Sequence, residues 1–212
     1  MVYTNNAQLI ASNGNTVLTT EEREIRIKNA SIQYGNFLTA LGFDWQNDPN
    51  MQDTPNRVSK ALVTELLSGC FTAPPKITTF EDASYGYDGI VFQGNIEVCS
   101  MCSHHNLAFT GVAHVAYIPG NNVIGLSKLN RIVEWFARRP QIQEGLTMQI
   151  HNYLQDILPD NKGLAVLIEA NHTCASCRGV RHNSTMKTSK LSGAFFDKAE
   201  CRNEFYHFIE TL

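Results

Sequence analysis

Two short clusters of cysteine and histidine residues are the features of this sequence best suited to do chemistry. One is Cys102-Ser-His104-His105 and the other is His172-Thr-Cys174. Thiolate sulfur and imidazole nitrogen suit a borderline-soft cation such as Zn²⁺, and three protein ligands leave a fourth tetrahedral position for water. An open position of this kind is typical of a catalytic zinc site. The sequence therefore predicts one catalytic metal site assembled from two distant segments.

Spacing alone leaves the ligand set open. The C-x-x-C pairs at 99–102 and 174–177 resemble the halves of a zinc ribbon, but their separation of 72 positions (102 to 174) is far longer than ribbon spacing. The closed four-cysteine site is therefore the less favoured reading. On an ordinary strand Cys102 and His104 share a face while His105 lies on the other. Both histidines consequently remain candidate ligands at this point.

A second group of residues indicates an anion site. Ser127, Lys128 and Arg131 open a predicted helix, where unpaired backbone N–H groups and the helix dipole attract phosphate. Arg178 follows the second metal cluster directly. Solvated charges on a helix face are the simpler interpretation of the lysine and arginines, but their occurrence with a metal cluster favours phosphate binding. Glu144 is either an exposed carboxylate or one that accepts two hydrogen bonds from a guanine edge.

Composition limits where such a site works. The 212 residues include 17 Lys plus Arg and 20 Asp plus Glu, and the formal charge of -3 gives no bias toward nucleic acid or an anionic membrane. The chain begins without a basic leader, and it has no apolar run of transmembrane length. We expect a soluble cytoplasmic protein. In that compartment the six cysteines are expected to be thiols or metal ligands rather than disulfides.

The elements that position these residues follow from local patterns. Residues 1–18 are predicted to be a flexible arm and residues 19–72 a helical region. Within it, Thr19 and Glu22 predict a capping box, and Thr54-Pro55 predicts the start of a second helix with Thr54 as N-cap.

From residue 73 the pattern changes to strands interrupted by a helix pair. This order favours an α+β domain with an antiparallel sheet. Ser127 is predicted to cap the first helix of the pair. The predicted strands are 90–92, 96–101, 107–109, 112–118, 164–169 and 179–187, the second helix of the pair is 143–157, and a last helix starts near residue 197.

Several ordered motifs together resemble GTP cyclohydrolase I, and the resemblance extends from about residue 20 to the end. It implies a tunnelling fold, in which an antiparallel sheet carries a helix pair on one face after an N-terminal helical region. Subunit sheets in that family join around a channel, usually in a decamer of two pentamers with active sites between subunits. The motifs are D-T-P-N-R-V-S-K, C-S-H-H, V-A-Y-I-P, V-I-G-L-S-K-L-N-R-I-V, R-P-Q-I-Q-E, H-T-C and R-G-V.

The resemblance also implies a role for each matching residue. Zn²⁺ is the implied cofactor and GTP the implied substrate, which is hydrolysed at purine C8 with release of formate and rearrangement to 7,8-dihydroneopterin triphosphate. This product begins folate, pterin or 7-deazaguanine synthesis. The metal ligands match Cys102, His105 and Cys174, and the proton-transfer residues match His104 and His172. The triphosphate contacts match Ser127, Lys128, Arg131 and Arg178, with Arg57 and Lys60 contributing. The guanine contacts match Gln143 and Glu144.

Two other functions fit part of the pattern. Another tunnelling-fold enzyme acting on a pterin or deazaguanine would need a different ligand set, or a nucleophilic cysteine with a nicotinamide cofactor. A zinc-stabilised binding module would need no turnover. The match at Cys102, His105 and Cys174 favours the cyclohydrolase, with further copies of the chain as partners and neither nucleic acid nor membrane.

Three positions depart from the family pattern. Ser103 stands where the family commonly has Glu, Ala108 stands where Pro is common, and Cys177 stands where Met is usual. Because Ser103 removes a carboxylate beside the histidines, we expect it to alter the rate or its pH dependence without abolishing zinc binding. The test is to compare Ser103→Glu with the parent in rate–pH profiles and zinc content. Identical profiles would contradict the expectation.

Overall fold

The computed structural model describes residues 9–81 and 86–212, so residues 1–8 of the predicted arm lie outside it. The described chain divides into two compact units, one ending at Ala73 and the other beginning at Pro74. In the described ranges, every helix is too short or too polar to cross a membrane.

The first unit begins with helix α1, Thr20–Ala40. Its predicted capping box is confirmed, because the Thr19 hydroxyl accepts from the Glu22 N–H at 3.2 Å and the Glu22 carboxylate accepts from the Thr19 N–H at 2.8 Å. Gly42 follows the last turn with a φ of 89°, a left-handed conformation that glycine adopts without a Cβ clash. This conformation ends the helix.

The second helix, α2, spans Thr54–Ala61 and starts one residue earlier than predicted, because its N-cap is Asp53. The Asp53 carbonyl already accepts a hydrogen bond from the Arg57 N–H at 3.0 Å, and its carboxylate pairs with the Arg57 guanidinium at 3.2 Å instead of capping the helix. A π-helical turn, Leu62–Leu66, continues the chain.

The described part of the predicted arm is hydrogen-bonded to the end of this helical region. The Thr16 N–H donates to the Cys70 carbonyl at 2.7 Å, and the Leu18 N–H donates to the Phe71 carbonyl at 3.0 Å. The Asn15 amide adds a bond to the Gly69 carbonyl at 2.8 Å. Backbone pairing thus attaches this stretch to the first unit.

The second unit is built around a five-stranded sheet with the order β5-β2-β3-β6-β7. Its pairs are antiparallel except for β2 with the short β5, and β1 pairs separately with β4. In chain order the elements are β1 (Thr79–Glu81), β2 (Val91–Cys102), β3 (Ala108–Ile118), β4 (Asn122–Ile124), α3 (Leu126–Ala137), β5 (Pro140–Gln141), α4 (Gln143–Ile157), β6 (Gly163–His172), α5 (Thr173–Ser176), β7 (Thr185–Gly193), α6 (Ala194–Asp197) and α7 (Ala199–Glu210).

Besides the start of α2, three local features were predicted wrongly in detail. The first is strand continuity, since the strands predicted at 107–109 and 112–118 are the single strand β3 (Ala108–Ile118). The two strands predicted at 90–92 and 96–101 are one strand, because a bulge between Gln93 and Ile96 absorbs the irregular register. The predicted strand 179–187 begins only at Thr185, since Arg181 (φ 54°) and Gly179 (φ 62°) adopt left-handed conformations that interrupt an extended chain.

The third error concerns the start of α3. Its N-cap is Gly125 rather than Ser127, which lies within the first turn. The Gly125 carbonyl already accepts from the Lys128 N–H at 2.8 Å. The α4 bounds, by contrast, agree with the prediction.

The helix pair α3 and α4 covers one face of the sheet, and α6 with α7 covers part of the other. The α3 residues that enter the core recur at helical spacing, which gives the helix one apolar side. Burial of that side against the strands explains why the pair packs here. The predicted α+β class is confirmed. These α3 residues are Leu129, Ile132, Val133 and Phe136.

Candidate active site

A tight turn between β2 and β3 presents the first metal cluster. The Cys102 N–H donates to the Leu107 carbonyl and the Asn106 N–H donates to the Cys102 carbonyl, both at 2.8 Å. Asn106 has a φ of 50°, the left-handed conformation that Asn tolerates better than most residues. The Ser103 N–H also donates to the Gln141 carbonyl of β5 at 2.9 Å. Cys102 and His105 therefore converge through a turn, for which Asn106 was the overlooked sequence signal.

Sheet register brings the second cluster to the same place. The last residue of β6, His172, is the cross-strand partner of Phe109 near the start of β3. The two rings stack with centroids 4.5 Å apart. The Thr173 hydroxyl donates to the Ala108 carbonyl at 2.6 Å. These contacts hold Cys174, in the short helix α5, beside the β2–β3 turn.

Three potential ligand atoms lie together at this point. The side-chain donors of Cys102, His105 and Cys174 are all within 4.8 Å of one another. The Cys102 sulfur is 3.8 Å from His105 Nδ1 and 4.0 Å from His104 Nδ1. His104 is adjacent to these three donors but is not among the atoms that all lie within 4.8 Å of one another.

The chemistry of this donor set fits a cation. Burial raises the pKa of the Cys174 thiol, and the neighbouring Cys102 sulfur raises that pKa further. Two thiolates so close together need positive charge to offset their repulsion and loss of solvent, and a divalent metal ion would provide it. Two sulfurs and one imidazole nitrogen are donors that zinc prefers.

His172 is held in a partly buried position next to these donors. Burial lowers its pKa, and the carboxylate of Glu144 partly opposes that effect. Near neutral pH the ring is therefore mainly uncharged. Its Nε2 is 2.8 Å from Oε1 of Gln143.

Of the remaining predicted residues, Glu144 and Arg178 lie in the same region. Glu144 is exposed at the start of α4, while Gln143 beside it is fully buried. The positive charge of Arg178 lowers the pKa of Cys174, although burial outweighs this effect.

The α3 residues predicted to bind phosphate do not lie beside the metal donors of the same chain. The Gln93 amide donates to the Asn130 side chain, which places the first half of α3 beside the start of β2. At the other end, Cys102 pairs with Gln141, which follows α3. Helix α3 therefore runs alongside β2, and nine strand positions (93 to 102) separate the two ends by about 30 Å. The α3 residues far from the metal donors are Ser127, Lys128 and Arg131.

Arg57 and Lys60 belong to α2 in the first unit, and both are exposed. Arg57 forms its ion pair with Asp53 four residues earlier. A surface pair of this kind is weak, so the guanidinium remains available for a stronger anion.

The conformation of Asn106 leads to a testable expectation. Asn106→Ala adds about 1 kcal/mol of backbone strain in the left-handed region, whereas Asn106→Gly relieves it. We therefore expect the alanine variant to bind zinc several-fold more weakly, because the strained turn presents His105 less well. Chelator competition measures the affinity, and thermal unfolding measures stability. Equal zinc affinity for the two variants would contradict this role of the turn.

Known proteins match this chain along most of its length. The family model of GTP cyclohydrolase I matches residues 30–210. The GTP cyclohydrolase 1 of Flavobacterium johnsoniae is 43% identical over 91% of this chain and 84% of its own length. Proteins of the same name from Haemophilus ducreyi (38% identity, 92% of this chain and 88% of theirs) and Shewanella oneidensis (40%, 91% and 87%) are similarly close. The chain that brings these cysteines and histidines together belongs to the GTP cyclohydrolase I family.

Proposed function

We propose that this protein hydrolyses the purine ring of GTP at C8, releases formate and forms 7,8-dihydroneopterin triphosphate in a zinc-dependent reaction. Membership of the family supports the activity. The observation that carries the metal dependence is the group of three donors, Cys102, His105 and Cys174, within 4.8 Å. Their separation suits one tetrahedral ion with an open fourth position.

The three donors would hold zinc, a Lewis acid that would make water nucleophilic at neutral pH. His104 lies beside the ligands and His172 lies partly buried near them. Imidazole exchanges protons near neutral pH, so these two residues deliver protons to the ring nitrogen and the ribose oxygen as the imidazole ring of the purine opens. Formate then leaves, and the ribose carbons rearrange to close the pterin ring.

The substrate is held at both ends. The exposed Glu144 carboxylate accepts two hydrogen bonds from the guanine edge. Gln143, the second residue that the resemblance assigns to this end, lies buried beside it with its side-chain amide bonded to protein groups. Positively charged groups hold the triphosphate and keep the intermediate in place during the later steps. These residues are Arg178, Lys128, Arg131, Arg57 and Lys60, with the hydroxyl of Ser127.

The active site is completed by a second copy of the chain. The α3 phosphate residues are about 30 Å along β2 from the metal donors, which is further than one nucleoside triphosphate extends. One GTP can contact both groups only if different copies contribute them. We therefore place the site between subunits, in a decamer of two pentameric rings.

Unpaired sheet edges support this assembly. Among the described residues, the outer edge of β7 and the outer edge of β2 from Val91 to Ser100 pair with no other strand. The two edge strands run in opposite directions, so β7 of one copy can extend the sheet of the next through β2 in antiparallel fashion. Such closure removes exposed edges.

The direct test is to incubate the zinc-loaded protein with GTP and measure formate together with the appearance of a pterin chromophore. We expect both products in equal amounts. Their absence from a preparation that holds zinc and remains assembled would leave the zinc-stabilised binding module as the better function. Turnover of a pterin or deazaguanine instead of GTP would favour the other tunnelling-fold enzymes.

A further inference from the structure

Gln143 is fully buried at the start of α4, and its amide is engaged entirely by protein atoms. The Nε2 group donates to the carbonyls of Ile168 and Met186, each at 3.0 Å. Carbonyl oxygens only accept hydrogen bonds, so the end of the amide that faces them must be the NH₂ group. The opposite end, Oε1, therefore faces His172 Nε2 at 2.8 Å.

Two threonine hydroxyls lie beside the Gln143 amide. The Thr147 hydroxyl donates to the backbone carbonyl of Gln143 at 3.0 Å. Its oxygen is 2.7 Å from the Thr188 oxygen, so the hydrogen between the two hydroxyls belongs to Thr188. The two Gln143 Nε2 hydrogens already point to the Ile168 and Met186 carbonyls, so the Thr188 oxygen at 3.1 Å can only share one of them. The two carbonyls alone fix the amide, because rotating it by 180° would set Oε1 against two carbonyl oxygens.

The network has a consequence for His172. Because the Gln143 Oε1 atom can only accept, His172 Nε2 must carry the hydrogen of this bond. In the neutral ring the other nitrogen, Nδ1, then has a free lone pair. Within the described residues Nδ1 has no hydrogen-bond partner. Stacking on Phe109 at 4.5 Å fixes the plane of the ring.

We propose that Gln143, oriented by the Ile168 and Met186 carbonyls, is a positioning residue that holds His172 as the Nε2–H tautomer and leaves Nδ1 as the ring nitrogen open to a hydrogen bond with the substrate. This inference rests on the proposed function, in which His172 transfers protons. Gln143 then acts on the rate of the chemical step more than on guanine affinity.

The experiment compares Gln143→Met with Gln149→Met in the zinc-loaded enzyme. Methionine nearly keeps the length of glutamine but cannot accept the His172 hydrogen bond in the same way. Gln149 lies on the same helix and bonds to Gln141 at 2.8 Å, away from His172, so it is the matched control. We expect Gln143→Met to lower kcat by about ten- to a hundredfold, the range for lost outer-shell partners, with KM for GTP nearly unchanged. The control keeps the parent kcat.

A spectroscopic readout measures the tautomer without turnover. Solid-state NMR of sedimented enzyme labelled with [¹⁵N]histidine, with His172 assigned by its loss in His172→Gln, should show Nε2 protonated and Nδ1 unprotonated in the parent. Gln143→Met should show a mixture of tautomers, and Gln143→Glu, whose carboxylate still accepts from His172 Nε2, should keep Nε2 protonated.

Two results would overturn the inference. One is a parent His172 protonated at Nδ1 instead of Nε2. The other is a Gln143→Met variant with raised KM and unchanged kcat, which would make Gln143 a guanine contact alone. Absence of formate from the parent would overturn the proposed function instead, and the NMR result distinguishes that failure from a failure of the positioning role.

Discussion

Replacing Cys174 with serine will remove bound zinc and lower formate release from GTP by about a thousandfold or more. Cys174 supplies one of three donors within 4.8 Å, and a serine hydroxyl is a poor ligand because it stays protonated at neutral pH. Metal-ion catalysis contributes several kcal/mol, and each 1.36 kcal/mol corresponds to a factor of about ten in rate. Elemental analysis and a formate assay measure the two effects.

The chain provides a matched control for this substitution. Cys177 is exposed, lies three residues later and is outside the donor group. Cys177→Ser should therefore keep one zinc ion per chain and the parent rate. Full zinc content and activity in Cys174→Ser, or equal losses in both variants, would contradict the proposed ligand set. An unchanged unfolding midpoint in Cys177→Ser would exclude a general effect of replacing cysteine in this segment.

The sequence predicted those features whose causes are local. The Thr19–Glu22 capping box and the α4 bounds depend on side chains a few positions apart, so their patterns can be read directly. Spacing could not choose between His104 and His105, because that choice depends on a turn. Asn106 makes the turn by adopting a left-handed conformation, which most asparagines do not adopt.

The prediction of β7 failed for a related reason. The segment 179–187 contains residues that suit a strand, but Gly179 and Arg181 have positive φ and pairing begins only at Thr185. The network around Gln143 was also beyond sequence reasoning, since the Ile168 and Met186 carbonyls reach the amide only through the sheet register. Contacts between distant segments depend on tertiary structure, which no local pattern encodes.

Mixing two inactive variants should restore activity if different copies complete one site. One variant carries Lys128→Ala with Arg131→Ala, and the other carries Cys174→Ser. Alone, the first loses most of its triphosphate contacts and the second loses its zinc. In assemblies refolded from equal amounts, about one quarter of the sites combine an intact α3 from one copy with intact metal donors from its neighbour, as expected for random mixing around a symmetric ring. Formate release should recover to about that fraction of the parent rate.

A second mixture distinguishes true complementation from refolding effects. This mixture contains two kinds of chain, one with Lys128→Ala alone and the other with Arg131→Ala alone. Both are damaged in the same α3 group, so every site retains a defect. The rate should therefore stay at the level of the two separate variants. The physical basis is the separation of about 30 Å along β2 between that group and Cys102. If the Cys174→Ser mixture recovered no more activity than this control, one copy would have to supply both groups. The orientation of α3 along β2 would then be incompatible with binding the triphosphate through Lys128 and Arg131.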